Sequence, residues 1–594
     1  MAHNQASLNE RVEELIRQVT LLTDRVDRLE HQTQSYEKPI QRPTDPITKP
    51  AKQAERPKLN EERSLLVSGS SLLKHISAAS FLLVIGLGLR TLADGGMFGQ
   101  LAGTILGLGY AAALIACGSI FYHQKNTMAP LFTVIGALLM FSILLETHTR
   151  FSTLPIEAVY LMLAVTGIAL AMVSRYYKVA LPIIIGTLGM CLTAVAIDYP
   201  NPIFPYLGLM LWLSNILGFF ASRIKRCSWL RWLLMLTTHF MLQIWGLKIS
   251  GVLRGTATQQ HINEGWFIPI VTLIGFTFVL ISLFGIIRSG DEKISTFDFS
   301  LPAINAAWCY VAGIYALKSP ELFGVPAAIA AGFHFALVFW LAQRKRVNAP
   351  GTNTFTAGGV ILAGLSLPAL MGGMLLPLPF LSLLALAICI CSNIWSSGGM
   401  RITSYVLQGY ILAIIAMEAV ASLTAAPVPL MIIALISSYL AIHHYSYCRQ
   451  NPPPPESIAF SRYDTHDRSA TLPLLCGLTT ALIAASAFGF FILSRNYSGE
   501  LNVAFTGLVS LLINGAAILL MSVAAHRNNR ELRNLSCFIM IMGGVKVFVY
   551  DMLQISGPWL VIGLLAFGIA AALQSLILAR WKDRKEPDNA TEPV

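Results

Sequence analysis

Charge is scarce in this chain: Asp, Glu, Lys and Arg make up 12% of its 594 residues, against 55% hydrophobic residues. A string of soluble domains of that length needs about a quarter of its residues charged, so soluble architecture is excluded. Several chemical signatures are also missing. There is no Gly-Lys dipeptide and hence no phosphate-cradling loop of the Walker type, no His-Glu pair to open a zinc-protease helix, and no Cys-x-x-Cys pair. An ATP-driven activity would therefore need a separate partner chain. No catalytic, cofactor-binding or metal site is expected from motifs. The N-terminal 50 residues are polar with no apolar core ahead of a small-residue cleavage site, so no signal peptide is expected.

What is present in quantity is apolar sequence. Stretches of 18 or more apolar residues recur from Leu72 to Ala579, each long enough to cross about 30 Å of hydrocarbon as a helix. The expected fold is all-α, a polytopic transmembrane helical array of about 18 spans over residues 72–580. Before it lie a coiled coil (1–35) and a Pro-rich charged tether (36–71), and after it a cytoplasmic tail (581–594). Between Phe355 and Asn393, the residues Gly372, Gly373, Pro377 and Pro379 mark either a turn between two spans or a broken helix. The inner loop from about Cys448 to Ala470, with Pro452 to Pro455, is expected to be an extended linker at most.

In the N-terminal segment Leu8, Val12, Leu15, Val19, Leu22, Val26 and Leu29 repeat at spacings of four and three. Valine at a and leucine at d favours a parallel two-stranded coil, so self-association or another partner helix is expected there. The tether carries Pro39, Pro43, Pro46, Pro50 and Pro57 among polar residues and has too little apolar surface for a core.

The net charge of +11 does not indicate nucleic acid, because the basic residues sit in short loops between apolar runs. They read as topology signals. With the N-terminus inside, 28 Lys and Arg from Lys52 onward fall on the inner side and six on the outer: Arg90, Arg150, Lys248, Arg254, Lys318 and Arg495. Cytoplasmic loops carry that excess, so both termini are expected in the cytoplasm and the number of spans to be even. All nine cysteines fall in expected spans or inner loops, which argues against a disulfide framework.

The coiled coil, the tether, the first hairpin with LADGGMFGQ (Leu92 to Gln100) and the late span with KVFVYD (Lys546 to Asp551) give the chain a family likeness. It resembles a family of large bacterial multi-pass membrane proteins catalogued only as a domain of unknown function. The resemblance covers most of the chain in architecture and is sharpest in the first six or seven spans and the last two. It implies a bacterial cytoplasmic (inner) membrane location and a long helical array, and brings no substrate or reaction. The chain is shorter than typical members. It reads GMCLTA (Gly189 to Ala194) where the family tends to have a Gly-Gly-Phe-Leu-Thr-Pro-like break, without the proline on which that break depends.

Ionisable groups inside a bilayer are the best functional pointers, because a charge near the centre costs roughly 3 kcal/mol or more and must find partners. Lys546 lies well inside its span, and Asp551 follows five residues later. On an α-helix that step is about 140°, so the two are expected on different faces, each turned to another helix. Glu418 lies about a turn inside its span and would need a partner or a proton. His334 is deep in another span, while Arg90 and Asp94 can pair at the first outer hairpin. The acidic residues Asp94, Glu146, Glu157, Asp198, Glu264, Glu321, Glu418, Glu500 and Asp551 fall near outer ends, either as an acidic mouth or because they are tolerated there.

Hydrogen-bonding glue between helices is the expected role of His239, Gln243, Asn215, Asn305 and Asn514. His443, His444 and Cys448 match no familiar metal-site spacing. Gly103, Gly107 and Ala111 form a small-residue stripe that favours close packing.

These features point to transport or translocation of a small solute, ion or lipid-linked envelope component through a polar zone including Lys546, Asp551 and Glu418. The alternatives are a membrane scaffold for envelope assembly organised by the coiled coil and, third, an intramembrane enzyme.

Overall fold

A computed structural model describes residues 77–583 apart from 87, 89–98, 199–203, 222–226, 255–263, 290–293, 317–320, 346–348, 423–426, 454–456, 458 and 555–556. The coiled coil, the tether, the tail beyond Asp583, Arg90 and Asp94 lie outside the described residues. Every regular element among the described residues is helical.

In chain order the helices are α1 (Ser77–Gly86), α2 (Gln100–His123), α3 (Ala129–Glu146), α4 (Ile156–Tyr177), α5 (Leu181–Asp198) and α6 (Phe204–Ala221). Then follow α7 (Ser228–Leu253), α8 (Phe267–Ser289), α9 (Thr296–Ala316), α10 (Glu321–Arg344), α11 (Thr352–Met371) and α12 (Leu378–Ile394). The last six are α13 (Gly398–Ser422), α14 (Pro427–Gln450), α15 (Thr471–Asn496), α16 (Leu501–Arg527), α17 (Arg530–Val545) and α18 (Pro558–Asp583). Among the described residues, 13 helices are long and apolar enough to cross a membrane.

Their outward faces are apolar: Val420 is 91% exposed, Ile329 69% and Leu161 66%. That is the pattern of helices with protein on one side and hydrocarbon on the other, where only a helix satisfies every backbone hydrogen bond. The loop between α11 and α12 is a turn. Gly372 caps α11 in the left-handed region at φ +66° and Pro377 precedes α12, a C-terminal stop suited to glycine. Helix α5 runs unbroken through GMCLTA.

From α2 onward, each helix packs chiefly against the next one or the next but one. Hairpins α2–α3, α10–α11, α14–α15 and α16–α17 are joined by contacts such as α3 with α5, α7 with α9, α11 with α13 and α16 with α18. The fold is thus built from local pairings, as in repeat arrays where each unit meets only its neighbours. In the α2–α3 hairpin a close backbone approach falls at Ala111, the last member of the small-residue stripe of α2. A Cβ placed on Gly136 of α3 would lie 2.9 Å from both the Ala111 carbonyl oxygen and the Ile115 nitrogen of α2. Backbone cannot yield as a side chain can. Gly136→Leu is expected to destabilise by about 1–3 kcal/mol, seen as a lower thermal midpoint in detergent.

Candidate functional site

Among the described residues, three buried ion pairs anchor polar chemistry in this apolar array. Two lie at helix ends. Arg231, near the start of α7, meets Asp298 of α9 at 3.0 Å and Ser295 Oγ at 3.3 Å, with its guanidinium 4.6 Å from the Phe297 ring centre. Arg401, fully buried near the start of α13, meets Asp467 at 2.6 Å. Its guanidinium also donates to the Cys448 and Asn451 carbonyls at 3.0 Å and to the Tyr405 hydroxyl at 2.9 Å. Asp467 lies in the loop between α14 and α15, and burial pushes its carboxyl above the usual range even though Arg401 and Tyr405 pull the other way.

The loop from 451 to 470 is consequently not the extended linker expected from its prolines. Arg401 reaches out of the end of α13, ties down the end of α14 and holds Asp467, while Phe460 is buried at 3% exposure. A carboxylate 66 residues along the chain converts a proline-rich loop into a cap. Neither Arg401 nor Asp467 was separable from ordinary loop charge in the sequence.

The third ion pair lies within a span. Lys546 Nζ donates to Asp551 Oδ1 at 2.7 Å, to Ser510 Oγ at 2.6 Å and to the Thr506 carbonyl at 3.0 Å. All three ammonium hydrogens are used. Ser510 also bonds the second carboxylate oxygen of Asp551, and Asp551 is 1% exposed. This corrects the expectation that the two charges face different helices. Residues Lys546–Asp551 form a π-helix, whose wider turn closes i to i+5 and brings residues five apart onto one face. Gly563 of α18 completes the wall, its Cβ position 3.7 Å from Asp551 Oδ2.

The remaining candidates are dispersed. Glu418 is half-buried on α13 and is not among the groups bonded to Lys546. His334 is buried on α10, its Nδ1 2.8 Å from the Ala330 carbonyl oxygen, and it packs on Phe355 and Gly358 of α11. Asp198 and Asp551 are 2% and 1% exposed, so neither belongs to a solvent-facing acidic mouth. His239 stacks on Trp308 with ring centres 4.2 Å apart. Asn215 donates to Thr238 Oγ1 of α7, and Asn305 to the Gly275 carbonyl of α8, both as helix-to-helix bonds.

Below the Lys546 cluster the polar groups continue. Thr506, Ser510 and Asn514 recur every four residues on one face of α16, about 6 Å apart. Gln574 of α18 then donates to Ser536 Oγ of α17 at 2.9 Å and to the Ala517 carbonyl at 3.1 Å. Ser510, Asn514, Ser536 and Gln574 are all at most 1% exposed. Two acceptors on this line, Asn514 Oδ1 and Gln574 Oε1, are buried without a hydrogen-bond partner. From Thr506 to Ala517 the line spans about 17 Å, over half a hydrocarbon thickness.

No family model matches this chain, and no curated protein or solved structure matches it. Geometry therefore carries the functional reading.

A cavity of about 390 Å³ between α11 and α13 offers a different chemistry. Apart from Thr403 and Tyr410, its lining is apolar, including Val360, Ile361, Ile402 and Val406. It has the lining of a hydrocarbon-filled groove and no group to handle an ion. Among the described residues, only Cys389, His444 and Cys448 bring three metal-ligating atoms within 4.8 Å of one another. The sequence reading held two of these residues and missed Cys389, which the fold supplies from α12.

Proposed function

We propose that the protein is a multi-pass membrane protein of the bacterial cytoplasmic membrane that moves a proton or small cation across its last three helices. In this reading it has about eighteen spans and cytoplasmic termini, as the asymmetry of Lys and Arg favours. The observation that carries the proposal is the buried polar line on α16. It joins a charged pair to two unpartnered carbonyl oxygens, Asn514 Oδ1 and Gln574 Oε1, where the apolar alternative costs nothing. Unsatisfied acceptors in hydrocarbon are costly and are retained where something passes or binds. Lys546 keeps 19% of its side chain exposed while Asp551 keeps 1%, so the pair is enclosed on the carboxylate side.

The test uses the full chain in proteoliposomes with a trapped pH-sensitive dye and imposed sodium, potassium or proton gradients. Wild-type protein is expected to give flux above empty liposomes. Asn514→Leu and Gln574→Leu are expected to reduce it at least tenfold while the protein stays monodisperse. Absence of wild-type flux under every gradient would overturn the proposal.

One observation favours the scaffold reading instead: among the described residues the helices pack chiefly with near neighbours, as in repeat arrays that serve as docking surfaces. The two readings separate on truncation. Removing residues 1–58 leaves flux in place for a transporter, whereas a scaffold loses its cellular role.

A further inference from the structure

We infer that Cys389, His444 and Cys448 are the ligands of a zinc(II) site that fastens α12 to α14 beneath the loop cap. This goes beyond the transport reading and does not depend on it. The three residues are 0%, 0% and 2% exposed, as in closed structural zinc sites.

His444 and Cys448 stand one turn apart on α14, the i, i+4 arrangement that puts two ligands on one helix face. Cys389 comes from α12, and its sulfur is 3.4 Å from Cys448 Sγ. Two thiolates bound tetrahedrally at about 2.3 Å from zinc lie roughly 3.8 Å apart, so only a few tenths of an ångström separate the present arrangement from a loaded one.

The histidine is already set for coordination. Ser404 has one hydroxyl hydrogen and donates it to the Arg401 carbonyl at 2.7 Å. Toward His444 Nε2, at 3.2 Å, Ser404 Oγ is then the acceptor, so Nε2 carries the proton. That leaves a lone pair on Nδ1, which is buried without a hydrogen-bond partner. One ring nitrogen fixed by a neighbour while the other stays bare is the tautomer a metal-binding histidine requires.

Charge is conserved on loading. Zinc(II) displaces the two thiol protons, which leave to solvent, forming two zinc–sulfur bonds and a neutral centre beside the already neutral Arg401–Asp467 pair. The Tyr405 hydroxyl, 3.4 Å from Cys448 Sγ, is committed to Arg401 Nε and Asp467, so the fourth position falls to a water. A Cys389–Cys448 disulfide would require an external oxidant and would leave His444 Nδ1 without a partner. The metal accounts for both observations.

The test is elemental analysis of the full chain, purified in detergent without chelator from zinc-supplemented cells. Wild-type protein is expected to hold about one zinc per chain, and Cys389→Ser, Cys448→Ser and His444→Ala to lose most of it. Cys476→Ser, a buried cysteine outside the trio, retains it. Since a ligand variant can also fail to fold, cobalt(II) exchange into the wild type provides an independent readout through thiolate-to-cobalt absorption in the near ultraviolet. Zinc content equal in all variants, or a Cys389–Cys448 disulfide found by mass spectrometry in metal-free wild type, overturns the assignment.

Discussion

Arg401→Met is expected to lower stability by about 3–5 kcal/mol, because it strands a buried carboxylate and two backbone carbonyls at once. Arg401 is wholly enclosed, and Asp467 keeps 2% of its side chain exposed. The carboxyl already sits above its usual range through burial, so the existing pair only partly offsets desolvation. Without the guanidinium, Asp467 retains only the Tyr405 hydroxyl as a side-chain donor, at 2.9 Å. Removing both charges, as Arg401→Met with Asp467→Leu, is expected to regain at least half the loss, since an apolar pair of similar volume needs no solvation. Thermal unfolding in detergent reads the energy. Tryptic cleavage after Arg462 and Arg468 reads the cap, and should accelerate in the single variant. A single variant that melts with the wild type and resists trypsin equally would falsify the role of Arg401 as the fastening of this loop.

The second large effect concerns Lys546→Met. Asp551 loses its cationic partner and keeps Ser510 as donor, in a site 1% exposed. Breaking such a pair costs about 3–5 kcal/mol, or the carboxyl takes up a proton to avoid it. Adding Asp551→Asn removes the stranded charge, so the double variant should recover much of the thermal midpoint. Flux is the discriminating readout. If the pair only holds α16 to the π-helix, the double variant recovers flux together with stability. If it is the charged end of a pathway, stability returns and flux does not. Recovery of both would take Lys546 and Asp551 out of the pathway and leave them a structural ion pair.

Parts of the candidate site were visible in the chain because they follow from local chemistry. Lysine inside an apolar run is conspicuous in any single sequence, and so is the Asp551 that follows it. Their pairing was hidden. An α-helix separates positions five apart, and only the π-helical turn of Lys546–Asp551 aligns them. His444 and Cys448 are a helical pair readable at four-residue spacing, whereas Cys389 is 59 residues from Cys448 and becomes a neighbour only when α12 packs on α14. Asp467 looked like one loop charge among several, because nothing near it in sequence marks it for burial under Arg401.

The sequence by itself determined that the chain is a series of apolar helices and about where each lies, while it left Gly372 to Pro377 open between a turn and a broken helix. Those features depend on side-chain transfer energies and backbone preferences, which act within a few residues. Tertiary structure decided which polar groups meet. A hydrocarbon environment makes each buried charge or acceptor seek a partner, and the identity of that partner depends on the packing of whole helices. Arg401 with Asp467, Lys546 with Ser510 and Asp551, and Cys389 with Cys448 are settled at that level.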